Sequence, residues 1–203
     1  GSEMCIRDRG FAGKWTHYDE SLRIPLIVYD PRLPEAKQGK VVTEMALNSD
    51  LASTMIDLAG LAVPQAHTGR SLAPLIGGKE VSGWRKDFLC EFLAVPGTIP
   101  RWEGVRGEHM TYARYFVNGP SEPPYEFLFD LKNDPRQLTN LVGGNREHPF
   151  LGRMRNRCDQ LVAMAGHRKE IGETSREPPK KRQKPPAKAP PVSYTHLRAH
   201  ETR

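Results

Sequence analysis

The stretch "GKWTHYDESLRIPLIVYDPRLP", Gly13 to Pro34, sets a lysine, a tryptophan, a histidine and two acids directly ahead of an apolar run. That run, "IPLIVY" from Ile24 to Tyr29, is rich in β-branched residues, carries no charge and is closed by "DPRLP". It reads as a strand buried on both faces, the kind that sits in the middle of a large sheet. Such a strand delivers polar side chains to a sheet mouth, where chemistry is often done. Lys14 is the ionisable residue of most interest, because an ammonium held there meets an anion as a compact point charge. His17 has the chemistry of an acid, a base or a ligand, but it stands without a partner at ligand spacing and reads as structural. Asp19 and Glu20, followed by Ser21, fit a cap or turn.

Outward from this stretch, Gly39 to Met45 is a short second strand or a loop. "NSDLASTMIDLAGLAVP" predicts a helix capped by Asn48 or Ser49, with Leu51, Met55, Ile56, Leu58 and Ala59 on its apolar face and Gly60 and Pro64 as its stop. After Trp84 the apolar runs become short and alternating. "DFLCEFLA", "WEGVRG", "MTYARYFVN" and "YEFLFDL" predict four strands in series, with "RGEH" as a hairpin turn. A last helix, Pro149 to Ala165, puts Leu151, Met154, Cys158, Leu161 and Val162 near one face, as a helix covering an antiparallel sheet would. The expected fold class is therefore α/β, with part of a central sheet over residues 10–83 followed by a small α+β unit over 84–167.

The ends read differently. "MCIRD" (Met4 to Asp8) and "VSYTH" (Val192 to His196) can be encoded by reverse-complementary DNA, and with the following "LRAHET" they look like translated library adapter. Residues 1–9 and 193–203 are therefore expected to be scars, with the coding sequence cut at both sides. Formal charge is +6 for the whole chain, yet the 168–192 tail alone contributes +5 and residues 10–167 sum to zero. The basic pI of about 9.3 thus reflects the tail and does not mark a nucleic-acid-binding body. That tail, rich in lysine and proline, cannot bury enough surface to fold and reads as a disordered spacer, with weak nonspecific binding to acidic polymers as the other possibility. No apolar run approaches the roughly 20 residues that span a bilayer. Outside the scar only Cys90 and Cys158 remain, too widely spaced for a zinc pattern.

The order of segments carries more than any one of them. "GKWTHYDESLRIPLIVYDPR", "NSDLASTMIDLAGLAVP", "TGRSLAPLIGG" and "YEFLFDLKNDPRQLTNL" together resemble the C-terminal part of the formylglycine-dependent sulfatases, arylsulfatase-like members of the alkaline-phosphatase superfamily. The resemblance runs from about Gly10 to Leu141. It implies an alkaline-phosphatase-like central sheet, a parent that hydrolyses sulfate esters of a glycan or a small molecule, a calcium cofactor held by the full-length parent, and a periplasmic or secreted location. It also implies that Lys14 reaches the substrate sulfate, since an ammonium offsets the charge that builds on sulfate oxygens as the S–O bond breaks. By the same resemblance Asp19, Glu20, Ser21, Arg23 and Pro25 brace the start of the strand. Arg101, Trp102 and Arg106, in a segment that borders the cleft in relatives, are candidate contacts to a sugar or its sulfate; they fit ordinary strand and hairpin roles at least as well.

The family's nucleophile motif is missing. Cys5 in "CIRDR" imitates the Cys and Arg spacing but lacks the middle proline or alanine, and neither Cys90 nor Cys158 lies in a matching context. No catalytic nucleophile and no metal ligand is therefore assigned to this chain, and the chain alone is expected to be inactive. Two alternatives stand beside this reading: a phosphatase or phosphodiesterase of the same superfamily, and a noncatalytic module that binds glycan or nucleic acid through its tail.

Overall fold

The computed structural model describes residues 15–93, 100–117, 124–142 and 148–166. Its centre is a four-stranded antiparallel sheet of β1 (Asp87–Phe92), β2 (Trp102–Gly107), β3 (Met110–Tyr115) and β4 (Tyr125–Asp130), in the order 1-2-3-4. The alternating segments after Trp84 are these strands, and Gly107 to His109 make the turn between β2 and β3. A meander needs only short connections, so local pattern suffices to specify it.

The register sorts every strand residue onto one of two faces. On one face Leu89, Val105, Tyr112 and Leu128 lie in a row across the sheet. Helix α4 (Pro149–Ala165) covers them with Leu151, Cys158 and Val162, all buried, and with Met154 and Leu161 partly so. Each such aliphatic side chain contributes on the order of 1.5–3 kcal/mol by leaving water. A proline in the first turn starts this helix, the His148 ring nitrogen accepts the Phe150 N–H, and Gly166 ends it at φ 76°. Charged residues fasten its rim: Arg157 grips Asp87 through two bonds of 2.7 Å, Arg155 pairs with Glu126, and Arg114 bridges Glu103 and Asp159.

On the opposite face Phe92, Trp102, Tyr115 and Tyr125 form one row, and Cys90, Gly104, Ala113 and Phe127 the next. Gly104 is required there. A Cβ at this position would fall well inside contact with the Tyr112 carbonyl oxygen and meet the Cα of Ala113, both on the neighbouring strand. Gly104→Ala should therefore cost about 1–3 kcal/mol, as overpacking does, seen as a lower urea midpoint with an unchanged slope.

Three elements precede the sheet: α1 (Asp19–Leu22), α2 (Asn48–Leu58) and α3 (Ala73–Ile76), with a single 3₁₀ turn at Glu35–Lys37. Two expectations are corrected here. The segment Ile24–Tyr29 is not a strand: it enters no sheet, and Ile27 and Tyr29 stand 90% and 82% exposed. A strand buried on both faces takes its hydrogen bonds from neighbours on either side, and among the described residues none lies beside it. Gly39 to Met45, read as a short strand or a loop, is loop.

The second correction concerns α2, whose burial is the reverse of the periodic reading. Asp50, Ser53 and Thr54 are its buried residues, whereas Met55 and Leu58 are exposed and Leu51 and Ile56 are half-buried. Polar partners explain the inversion. Thr54 Oγ1 donates to the Asp50 carbonyl and accepts the Leu72 N–H at 2.8 Å, and Ser53 Oγ donates to the Gly69 carbonyl at 3.0 Å. The helix thus fastens to the 69–72 loop through hydrogen bonds and leaves its apolar side open. Nor does Asn48 or Ser49 cap it; Leu47 occupies the cap position, and the Asp50 carboxylate accepts the Leu47 N–H at 2.7 Å.

Candidate functional site

The opening stretch continues into a strap, Trp15 to Leu22, laid across the sheet face that α4 does not cover. Aromatic contacts hold it. The His17 ring is 1% exposed and lies 4.6 Å from Phe127, 5.7 Å from Phe129 and 6.1 Å from Trp102 by ring centres. Its Nδ1 shares a 2.7 Å hydrogen bond with the Tyr115 hydroxyl. Burial pushes the Tyr115 phenol above its usual range, against the smaller downward pull of the His17 backbone N–H. The hydroxyl therefore keeps its proton throughout the neutral range. His17 is consequently a packed and hydrogen-bonded anchor, the structural role suggested by the lack of a second ligand at metal-site spacing in the sequence.

Polar bonds fix the rest of the strap. Trp102, 3% exposed, donates its indole N–H to the Trp15 carbonyl at 2.8 Å. Arg106 clasps the Asp19 carboxylate at 2.8 and 2.9 Å, and the Asp19 N–H donates to Gln137 Oε1 at 2.7 Å. Thr16 and Ser21 join through their hydroxyls at 2.9 Å. Tyr115→Phe keeps the ring and removes only the hydroxyl, so it should cost about 1–3 kcal/mol for a buried polar group left unmatched. Hydrogen exchange should show the loss concentrated at Thr16 to Leu22; an even loss over all strands would contradict the anchoring role.

The sequence candidates fall out as follows. Lys14 lies outside the described residues, one position before Trp15. Arg106 sits in the middle of the strap's lower attachment, bound to Asp19. Arg101 stands just ahead of β2, half-buried, where its carbonyl accepts the Phe116 N–H at 2.9 Å. The structure thus joins Trp102 and Arg106 to the segment that follows Lys14. The anchors Tyr115 and Gln137 were not foreseen, because neither has a local motif; each meets the strap across about a hundred residues of chain.

Two cysteines lie within the described residues, both buried and neither in a disulfide. Burial pushes the Cys90 thiol up to about 12, so at neutral pH it supplies no thiolate nucleophile. Cys90 and Cys158 should remain unlabelled by iodoacetamide in the native chain and become labelled on unfolding, as read by peptide mass spectrometry. Among the described residues no group of three or more His, Cys, Asp or Glu side chains is placed to hold a metal ion. The most buried carboxylate, Asp50, is already committed: it accepts from Leu47 N–H, from Arg70 N–H at 2.8 Å, and from both ends of the Arg85 guanidinium. The residues described here therefore do not fit calcium. No helix among them is long and apolar enough to cross a membrane.

Comparison with known proteins places this arrangement. Residues 8–164 match the family model described as N-sulphoglucosamine sulphohydrolase, C-terminal. An N-acetylglucosamine-6-O-sulfatase of Bacteroides thetaiotaomicron is 33% identical over 143 residues, which is 68% of this chain and 24% of that protein. Arylsulfatase K of Xenopus laevis is 32% identical over 151 residues, covering 70% of this chain and 26% of its own length. The chain thus spans about a quarter of the curated relatives it matches. Among solved structures, a 2-O GAG sulfatase superposes with a TM-score of 0.50 at 28% identity, over 58% of this chain and 24% of that one. The four-stranded sheet with its covering helix is therefore the arrangement found in a sulfatase, and the chain belongs to the sulfatase family, matching its C-terminal region.

Proposed function

We propose that this chain is the C-terminal part of an enzyme that hydrolyses sulfate esters of a sugar, and that it lends the active site Lys14 while the nucleophile and metal ligands come from residues upstream of Gly10. The match of residues 8–164 to the sulfatase C-terminal region carries this reading. Lys14 falls in the matched stretch, in the "GK" that precedes the strap. The strap and its anchors follow at the next residue, so the backbone after Lys14 is held at Trp15 by Trp102 and at His17 by Tyr115. The Lys14 ammonium would there offset the negative charge that develops on the sulfate oxygens.

In this reading formylglycine supplies the nucleophile and calcium the charge that orients the sulfate, both outside the chain described here. The curated relative named an N-acetylglucosamine-6-O-sulfatase makes a sulfated amino sugar the first substrate to try. The test uses the protein extended upstream of Gly10 by the residues encoded there. It should hydrolyse N-acetylglucosamine 6-sulfate or an aryl sulfate well above the corresponding phosphate ester. Preference for the phosphate ester would instead favour a phosphatase of the same fold.

A further inference from the structure

The segment Ile24–Tyr29 carries apolar side chains and no charge, and every one of its residues is exposed. Exposure alternates along it: Leu26 and Val28 stand 46% and 45% open, Ile27 and Tyr29 90% and 82%. A period of two is that of an extended chain, whose successive side chains point to opposite sides. The backbone is open as well. Among the described residues, no hydrogen bond is made to or from the main chain of Leu26 to Tyr29. Beyond Trp84 the exposed large apolar residues are scattered, no two of them adjacent in sequence. Single ones are ordinary on a protein surface, whereas a contiguous run marks a surface that something covers.

We propose that Ile24–Tyr29 docks as an added strand on a sheet edge furnished by the part of the same polypeptide that lies upstream of Gly10. The chain spans about a quarter of the relatives it matches, and the region it matches is C-terminal, so most of a protein built on that plan lies ahead of it. A sheet edge offers the bare N–H and C=O groups that this run lacks, and layers on both sides of that sheet would receive its alternate side chains. Pro25 is no obstacle, because a proline is tolerated at the start of a strand. A second copy of the chain fits less well: two such runs paired together make a two-stranded ribbon, marginal in water, with apolar side chains still open on both sides. Arg23 alone separates the run from Leu22, the last residue of α1. Docking would therefore tie the strap, and the sheet beneath it, to the upstream part at a fixed point. The inference rests on the proposed placement of this chain at the C-terminal end of a longer protein and not on the proposed chemistry.

The test is hydrogen exchange, followed by peptide mass spectrometry on this chain alone and on the protein extended upstream of Gly10. The amides of Leu26 to Tyr29 should exchange at nearly the open-chain rate in the chain alone and roughly a hundredfold or more slower in the extended protein. Strands β2 and β3 should be protected in both. Ile27→Asp puts a charge on a side chain that docking buries. It should leave the urea midpoint of the chain alone unchanged, because Ile27 is open there, and return the same amides of the extended protein to fast exchange. Ile27→Val keeps an apolar, β-branched side chain and should keep the protection. Slow exchange of β2 and β3 in each variant shows that it has folded. Equal exchange of the run in the two proteins, or protection that survives Ile27→Asp, overturns the docking. So does protection in the chain alone that rises with its concentration, which marks a second copy as the occupant. Exchange is read whichever ester the extended protein hydrolyses, so preference for a phosphate ester would sink the sulfatase reading and leave the docked strand standing.

Discussion

Asp50→Ala should destabilise the region ahead of the sheet by about 3–5 kcal/mol, the cost of removing one partner from a buried ion pair. Asp50 is fully buried, and it is the point where three segments meet. Its carboxylate takes the Leu47 N–H at the start of α2, the Arg70 N–H of the following loop, and the guanidinium of Arg85 just before β1. The Arg85 side chain is only 10% exposed, and its second attachment, to the Met45 carbonyl, is long at 3.2 Å. Alanine would therefore leave a nearly buried cation and two backbone donors without their acceptor. Asp50→Asn should cost less, because an amide oxygen still accepts from one side. Domains are stable by about 5–15 kcal/mol in total, so the alanine variant should be largely unfolded ahead of residue 87 at modest urea, with hydrogen exchange fastest at Leu47 and Arg70. A loss under about 1 kcal/mol would mean that the junction is not held by this carboxylate.

The same group gives a pH dependence of known sign. Burial would raise the Asp50 carboxyl, but the hydrogen bonds from Arg85, Arg70 and Leu47 outweigh it and the net shift is downward. A carboxylate whose folded value is depressed contributes its stability in full above the unfolded value, near pH 4. That contribution is lost as pH falls from there through the folded value. Glu126 adds to the trend: burial raises its carboxyl, but the hydrogen bonds from Arg155 and Tyr112 and the charges of Arg155 and Arg114 together outweigh it and the net shift is downward. The urea midpoint should therefore be flat near neutrality and fall below about pH 4, and Asp50→Asn should flatten that fall.

The second large effect concerns Lys14. In the protein extended upstream of Gly10, Lys14→Ala should lower kcat by roughly 10²–10³, the range for removing one group that stabilises charge in the transition state. The fall should lie in kcat more than in KM, because the ammonium is worth most when the sulfate oxygens carry the most charge. Arginine keeps the charge but spreads it over a larger planar group, so Lys14→Arg should recover part of the rate at most. An unchanged kcat would remove Lys14 from the chemistry.

How legible the fold was depended on the distance over which each element finds its partners. All four strands and α4 were readable because neighbours in the meander are neighbours in sequence, and because alternation fixes which face of each strand is buried. The run Ile24–Tyr29 was read as a strand of a central sheet that this chain holds only in part; it lies exposed, as a strand without its sheet would, but it does not take up strand structure, because its composition records only that it is apolar. Helix α2 was read with the wrong side in. Periodicity counts Met55 and Leu58 as core and has no way to know that Ser53, Thr54 and Asp50 find hydrogen bonds at Gly69, Leu72 and Arg85. The strap lay between these extremes. Its support role was legible in Asp19 and His17, but their partners Arg106 and Tyr115 lie 87 and 98 residues away, with no local motif to announce them.

The most direct test of the central claim is steady-state hydrolysis of an aryl sulfate, followed with calcium present, by this chain alone and by the protein extended upstream of Gly10. The chain alone should show no turnover above buffer, and the extended protein should turn over and lose most of that activity with Lys14→Ala. Turnover by the chain alone, or an extended protein indifferent to Lys14, would contradict the account.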